Sequence, residues 1–289
     1  MKGNARARLA LITSMVIFGT IGIFRTYIPL PSGMIAFSRG LVGMLFLLAV
    51  MALKREKLDK KAVKANFWKL CLSGCFIGIN WILLFEAYRY TTVATATLCY
   101  YMAPLFVMLV SPFLLKEKLR IKQIICMIVA FVGMILVSGV FSSGGVGGWQ
   151  GIALGIGAAS FYATVVLLNK TIGEISAFSK TAVQLGFAAL IILPYTLIAE
   201  RGAVSAPDLS VLLLLLLVGV LHTGVAYTLY FGSMGKLRAQ TVALFSYLDP
   251  IVAILLSVLF LHEPMTLPSV VGAVLILGST MVSEVTEGR

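Results

Sequence analysis

The sequence predicts an all-α integral membrane protein, ten transmembrane helices arranged as two inverted five-helix repeats. Three observations predict it. Of 289 residues, 60% are hydrophobic and only 12% are charged, where soluble domains run ~45–50% and ~25%. Ten apolar stretches of spanning length follow one another with little between them. A 25-residue passage of the first half returns, position against position, in the second.

So few charges cannot cover a water-facing surface, which excludes a soluble globular enzyme. At ~20 residues per span plus short turns, the length holds roughly ten helices and little else. The first segment, about 9–29, follows Lys2, Arg6 and Arg8 and carries Arg25 near its far end. It reads as a span rather than a cleavable leader, because the second, 33–53, with Arg39, comes almost at once. The charged stretch Lys54 to Lys69 leads to the third, 68–89, which holds Asn80, Trp81 and Glu86. Its Gly74 and Gly78, like Gly151 and Gly155 later, have the spacing that lets helices approach closely. The fourth, 92–115, contains Tyr100, Tyr101 and Pro104, and the fifth runs 121–140. The run Ser142 to Gly148 reads as a flexible joint, 142–148, between a first repeat, 1–141, and a second, 149–289. The sixth segment, 150–171, carries Tyr162, and the seventh, 177–199, carries Gln184. His222 and Tyr227 fall in the eighth, 210–232; Tyr247, Asp249 and Pro250 fall in the ninth, 238–261; the tenth is 267–284.

Orientation follows from the basic residues. With the N-terminus in the cytoplasm, 19 of the 23 Lys and Arg face that side, which predicts N-in, C-in topology in the cytoplasmic (inner) membrane. The net charge of +12 then reflects anchors at an anionic leaflet, not nucleic-acid binding. Cys71, Cys75, Cys99 and Cys126 lie in apolar stretches and act as small hydrophobes. No metal-ligand spacing is present and no cofactor is called for.

The repeat is read from Thr95–Leu119 against Thr241–Met265. At an offset of 146, eight of 25 positions agree, among them Thr95/Thr241, Tyr101/Tyr247, Pro104/Pro250, Ser111/Ser257 and Glu117/Glu263. Five spans is an odd number, so a second copy enters the bilayer from the opposite side. Inverted halves can exchange conformations, which gives alternating access around a midplane site.

The two repeats resemble the EamA family of the drug/metabolite transporter superfamily. The resemblance rests on Phe85-Glu86-Ala87, Ala103-Pro104, Leu115-Lys116-Glu117 and Gly133. In the second half it rests on Phe231, Asp249-Pro250, Leu261-His262-Glu263, Gly272 and Gly278, with Arg39 and Gln184 as paired polar positions. It implies a secondary transporter, with export of an amino acid or related amphiphile as its first expected activity. The family's acid before the repeat proline is present as Asp249 but replaced by Ala103 in the other half.

At ~1.5 Å rise per residue, Asn80, Trp81, Tyr100, Tyr101, Tyr162, His222, Tyr227, Tyr247 and Asp249 all lie near the bilayer middle. Aromatic belts belong at the interfaces, so this set reads either as the wall of a substrate cavity or as helix packing. Pro104 and Pro250 each remove a backbone hydrogen bond and read as hinges or as fixed kinks. A mid-bilayer carboxylate costs ~2.5–3.5 kcal/mol. Asp249 or His222 is therefore a candidate for a coupling proton, or Asp249 for a substrate ammonium, against a purely structural role. Arg25, Arg39 and Glu86 are placed together in the outer third of the first half, where they read either as an outer vestibule with a surplus positive charge for an anionic group or as mutual pairs, Arg25 with Glu86 or Glu86 with Arg89. Glu117 and Glu263 are expected to tie the peripheral helices.

The function expected is secondary active transport of a small organic metabolite, with multidrug efflux or metabolite uptake as the alternative. Without a Gly-Lys-Ser/Thr phosphate cradle, ATP is not the energy source. An intramembrane enzyme lacks its motifs, and a non-transporting scaffold would not need matched prolines. The expected partners are the substrate, the lipid bilayer and a coupling proton, with a homodimer left open.

Overall fold

The computed structural model describes residues 2–137, 148–200, 207–260 and 266–287, and every regular element among them is helical. In hydrocarbon each backbone N–H and C=O must be satisfied within its own segment, which a helix does and an open strand does not. Eight helical stretches are long and apolar enough to cross a membrane; Ile121–Val137 and Leu267–Ser283 are apolar but shorter. Of the predicted joint, 142–147 lies outside the described residues, as do Arg201, His262 and Glu263.

The first half consists of α1 (Lys2–Thr26), α2 (Ser32–Leu53), α3 (Lys60–Ala65), α4 (Phe67–Tyr90), α5 (Val93–Tyr100), α6 (Ala103–Leu115) and α7 (Ile121–Val137). The second consists of α8 (Trp149–Thr171), α9 (Ala177–Ala199), α10 (Leu209–Leu217), a π-helical segment (Val218–Val225), α11 (Ala226–Met234), α12 (Ala239–Phe245), α13 (Leu248–Phe260) and α14 (Leu267–Glu287). α3 is a helix that the charged run Lys54–Lys69 gave no sign of; the Asp59 carboxylate caps it by accepting from the Ala62 N–H at 2.9 Å.

Three expected spans are not single α-helices. The fourth breaks between α5 and α6, where the Tyr101 N–H bonds to Thr97 O but the Met102 N–H turns to Cys99 O. The ninth breaks at the matching place, with Ser246 N–H on Val242 O and Tyr247 N–H on Leu244 O. The physical reason is the same in both. A proline two or three residues further on has no N–H and crowds the preceding turn. The eighth widens into the π segment, and the Thr223 hydroxyl reaches back to Val218 O, five residues earlier.

Packing joins the halves throughout. α4 lies against α8 and α9, α2 against α9, α1 against α11 and α13, and α7 against α14. These contacts survive exchange of the halves. α4 on α8 answers to α11 on α1, α6 on α8 answers to α13 on α1, and α4 on α9 answers to the π segment on α2. Glycines set the closest approaches. A Cβ on Gly74 would stand 2.6 Å from the Phe187 Cβ, and one on Gly133 would stand 2.7 Å from the Gly272 carbonyl.

The two ends of the bundle differ. At one end Lys69 bonds to Thr171 O, Lys170 to the carbonyl of Leu237, and Arg238 to Lys118 O. This basic end also carries Lys180 and Lys236. At the other, the Glu200 carboxylate accepts from the Gly33 and Met34 N–H groups at 2.8 and 2.9 Å, capping α2.

Candidate functional site

The two helix breaks face each other across the middle of the bundle. Tyr247, buried completely, donates its hydroxyl to the Tyr101 carbonyl at 3.1 Å, and the two rings lie 6.5 Å apart. A tyrosine of one half thus satisfies the broken backbone of the other, at positions that the 146-residue offset pairs.

Beside the breaks lies a cavity of ≈ 180 Å³. Trp81, Tyr100, Tyr101, Tyr162, Tyr227 and Asp249 line it, with Pro104 and Ser246 at the breaks themselves. Phe18, Leu84 and Phe85 contribute apolar surface. The rings brace one another, Tyr100 on Tyr162 at 5.6 Å and Trp81 on Tyr227 at 6.1 Å between centroids. Such walls offer flat apolar faces with a few hydroxyl donors.

Two charged groups enter this space. The Asp249 carboxyl group stands beside the Tyr101 hydroxyl. The Arg39 guanidinium lies over the Trp81 ring, 4.9 Å from its centroid, and donates Nε–H to Thr223 Oγ1 at 3.2 Å. Among the described residues no carboxylate pairs with it, and its hydrogen bond runs through Nε rather than through either Nη group. Arg39 therefore belongs to the central cavity, not to an outer vestibule. The reason is its long side chain, which carries the charge well away from its own backbone.

The other vestibule residues do not gather with it. Arg25 turns back on its own helix end, donating to Ile28 O at 2.7 Å and Leu30 O at 3.4 Å. Glu86 pairs with Arg89 at 3.0 Å and accepts from the Tyr195 hydroxyl. Three of the expected midplane residues stand outside the cavity wall. Asn80 is spent on Ala158 O at 2.6 Å, binding α4 to α8. His222 is buried completely, with Nε2 2.7 Å from Thr20 Oγ1 and Phe24 edge-on to its ring. Tyr247 supports the break from behind, and Pro250 is buried beside it. Gln184 joins Asn169 and Ser73 in a buried network at 3.1 and 2.9 Å. Glu117 ties different elements from those expected. It accepts from the Ala239 N–H at 2.9 Å and pairs with Lys170 at 3.3 Å, joining α6 to α12 and α8.

The cavity is closed toward the basic end by two expected residues, Tyr162 and Tyr227, together with three that sequence reasoning did not place there, Phe18, Tyr230 and Phe231. Tyr162 donates its hydroxyl to that of Tyr230 at 2.8 Å, with parallel rings 6.4 Å apart. Phe18 packs edge-on to Tyr227 and Tyr230 at 5.1 and 6.0 Å, and Phe231 lies 5.2 Å from Tyr227. Tyr230 and Phe231 are wholly buried. Phe18 met the same depth criterion as the tyrosines but has no polar atom to draw notice. Tyr230 falls too far along its span for that criterion. Among the described residues, no cluster of three His, Cys, Asp or Glu could hold a metal ion.

A sequence profile described as the EamA-like transporter family matches residues 5–139 and 149–284, one match in each half. The chain is similar to the "Uncharacterized transporter YxxF" of Bacillus subtilis (strain 168), 33% identical over 265 residues, covering 90% of this chain and 83% of that protein. It is similar to the "Protein RarD" of Salmonella typhimurium (strain LT2), 27% identical over 272 residues, covering 89% and 88%. A solved crystal structure superposes with a TM-score of 0.82 over 98% of this chain and 97% of that one, at 19% identity, which speaks to fold alone.

Proposed function

As this chain belongs to the EamA-like transporter family, we propose that it is a secondary carrier for a small zwitterionic solute, with an amino acid or related amphiphile as its substrate and export as its direction. The observation that carries this reading is the cavity's pair of opposite charges in an aromatic wall, neither of them in an ion pair among the described residues. Arg39 keeps its Nη groups free for a carboxylate, and Asp249 offers a partner for an ammonium group. Arginine's planar fork suits a carboxylate better than a lysine would. Trp81, already stacked on Arg39, and the tyrosines provide faces for the solute's apolar part.

The mechanism proposed is alternating access by two inverted repeats, 1–141 and 149–289. The exchangeable packing of the halves supports it, as do the two separate family matches. In this state the route toward the basic end is shut by the Tyr162–Tyr230 hydrogen bond. The positive-inside rule makes that end cytoplasmic, with both termini inside and the protein in the cytoplasmic membrane. The solute then crosses when the closure passes to the opposite end. Asp249 takes a coupling proton whenever no ammonium group occupies it. His222, bound to Thr20 outside the cavity, serves this reading only as support for α1.

Counterflow in proteoliposomes tests the proposal across neutral amino acids, the matching amines and the matching carboxylates. Zwitterions should exchange fastest. Arg39→Gln should shift preference toward amines and Asp249→Asn toward carboxylates. Equal rates for all three classes, unchanged in both variants, would overturn it, and a preference for lipophilic amines alone would favour multidrug efflux.

A further inference from the structure

A second cavity, ≈ 900 Å³, lies at the basic end where α8, α9 and α11 meet the loop before α3. That size falls within the range of ordinary ligand sites. Its lining includes Asp59, Asn169, Ser176, Lys180, Phe231 and Lys236. Lys180 is the unusual member. Its side chain belongs to a membrane-spanning helix and is only 7% exposed. An ionisable residue buried in a span is costly unless it is paired or used. No carboxylate pairs with Lys180 among the described residues. One of its three donors goes to the Phe231 carbonyl at 2.8 Å, and the others are left to the cavity.

The charges facing this space are graded. Lys180 lies deepest, while Glu174 and Lys236 are exposed at the rim. The Asp59 carboxylate is already engaged at the start of α3. An entering anion therefore meets mixed charge at the mouth and an unpaired cation at the floor. Phe231 is the partition: it lines this cavity, and its ring touches Tyr227, which lines the central one. The residue whose carbonyl holds the Lys180 ammonium is the same residue that separates the two chambers.

We propose that the cavity at the basic end is a second binding site, in which Lys180 takes the carboxylate of a small organic solute next to the Phe231 partition. The site rests on the transport reading above, since it lies on the same path, with Phe231 and Tyr227 between it and the central cavity. A carboxylate arriving there takes the two donors that the Phe231 carbonyl leaves free.

Reductive methylation of the detergent-solubilised full chain, read at Lys180 by peptide mass spectrometry, tests this with benzoate as the probe. Lys180 should react in anion-free buffer. Benzoate at ten times its dissociation constant should slow that reaction about tenfold, while benzylamine and chloride should not. The rim residue Lys236 should be modified at an unchanged rate. Protection should persist in Arg39→Gln, which disables only the central cavity. Benzoate should also raise the melting temperature of the wild type and of Lys180→Arg, but not that of Lys180→Met. Three results would overturn the proposal: Lys180 inert without anion, equal protection by benzylamine, or protection lost with Arg39. Protection retained while counterflow ignores Arg39 and Asp249 would sink the central-cavity reading and leave this site standing.

Discussion

Arg39 is held by one hydrogen bond and one ring face, which positions the guanidinium without satisfying it. A stacked cation of this kind gains about 2 kcal/mol when shielded from water. The fork, not the charge alone, is what a carboxylate recognises. Arg39→Lys should therefore keep the protein folded yet lower affinity for a neutral amino acid by about tenfold, the equivalent of ~1.4 kcal/mol, measured as the half-saturating concentration in counterflow. Tyr247 is the contrasting case. Its hydroxyl serves the Tyr101 carbonyl, and stranding a buried acceptor costs about 1–3 kcal/mol. Tyr247→Phe should lower the melting temperature, whereas Tyr101→Phe, in the cavity wall, should change solute binding more than stability. Residue types were legible in the sequence; partners were not. Depth along a span singled out both tyrosines equally, but only packing shows that one lines the cavity and the other braces it. Likewise the sequence marks Arg39 as a charge in a span. Its stack on Trp81 depends on the rotation of α2 against α4, which no local pattern records.

Helices in a bilayer gain nothing from hiding apolar surface from lipid, so their association depends on close fit and small residues. Gly74 and Gly133 are points of such fit, with the backbone or Cβ of a neighbour where a side chain would go. Gly74→Leu and Gly133→Leu should each prevent recovery of folded protein, seen as loss of the monodisperse peak in size-exclusion chromatography. Gly22 and Gly278 have nothing within 4 Å of an added Cβ. Gly22→Ala and Gly278→Ala should be neutral or raise stability by up to about 1 kcal/mol, since alanine is the better helix former. Element boundaries were legible to within a few residues wherever apolar runs end in charge, as at α2, α4, α8 and α9. The breaks were half legible. Proline marks them, but whether a helix bends or divides depends on what satisfies the carbonyls left open there, and in the fourth span Tyr247 serves that of Tyr101 from another span. The π segment left no signal of its own, because Gly219, His222, Thr223 and Gly224 within Val218–Val225 suit an α turn as well as a π turn. Its wider turn matters nonetheless, as it carries Thr223 to Arg39 and His222 to Thr20.

At the scale of the molecule, the duplication was the most legible feature, since matched Thr, Tyr, Pro and Glu at one offset are hard to obtain by accident. The proposed exchange of the halves would give two conformations that share one sequence, so their balance is not written in the repeat itself. What distinguishes the halves is chemical: an acid precedes Pro250 and an alanine precedes Pro104, and the aromatic closure lies on one side of the cavity. That closure depends on few contacts. The Tyr162–Tyr230 hydrogen bond is its polar link, and the buried rings of Phe18, Tyr227 and Phe231 are its apolar body. A neutral hydrogen bond contributes about 0.5–1.5 kcal/mol net, enough to shift a two-state balance several-fold without disturbing the fold. Tyr230→Phe keeps the ring and removes that link. Carried into a background with a single reporter cysteine at Leu84, itself in the cavity wall, it should raise the rate at which a membrane-impermeant thiol reagent reaches the cavity from the basic end, about three- to tenfold by the same energy. Labelling from the opposite end should fall in step if, as the alternating-access proposal requires, one closure opens only as the other forms. Equal gains at both ends would mean a leak through a loosened core, and the two halves would then not be trading places.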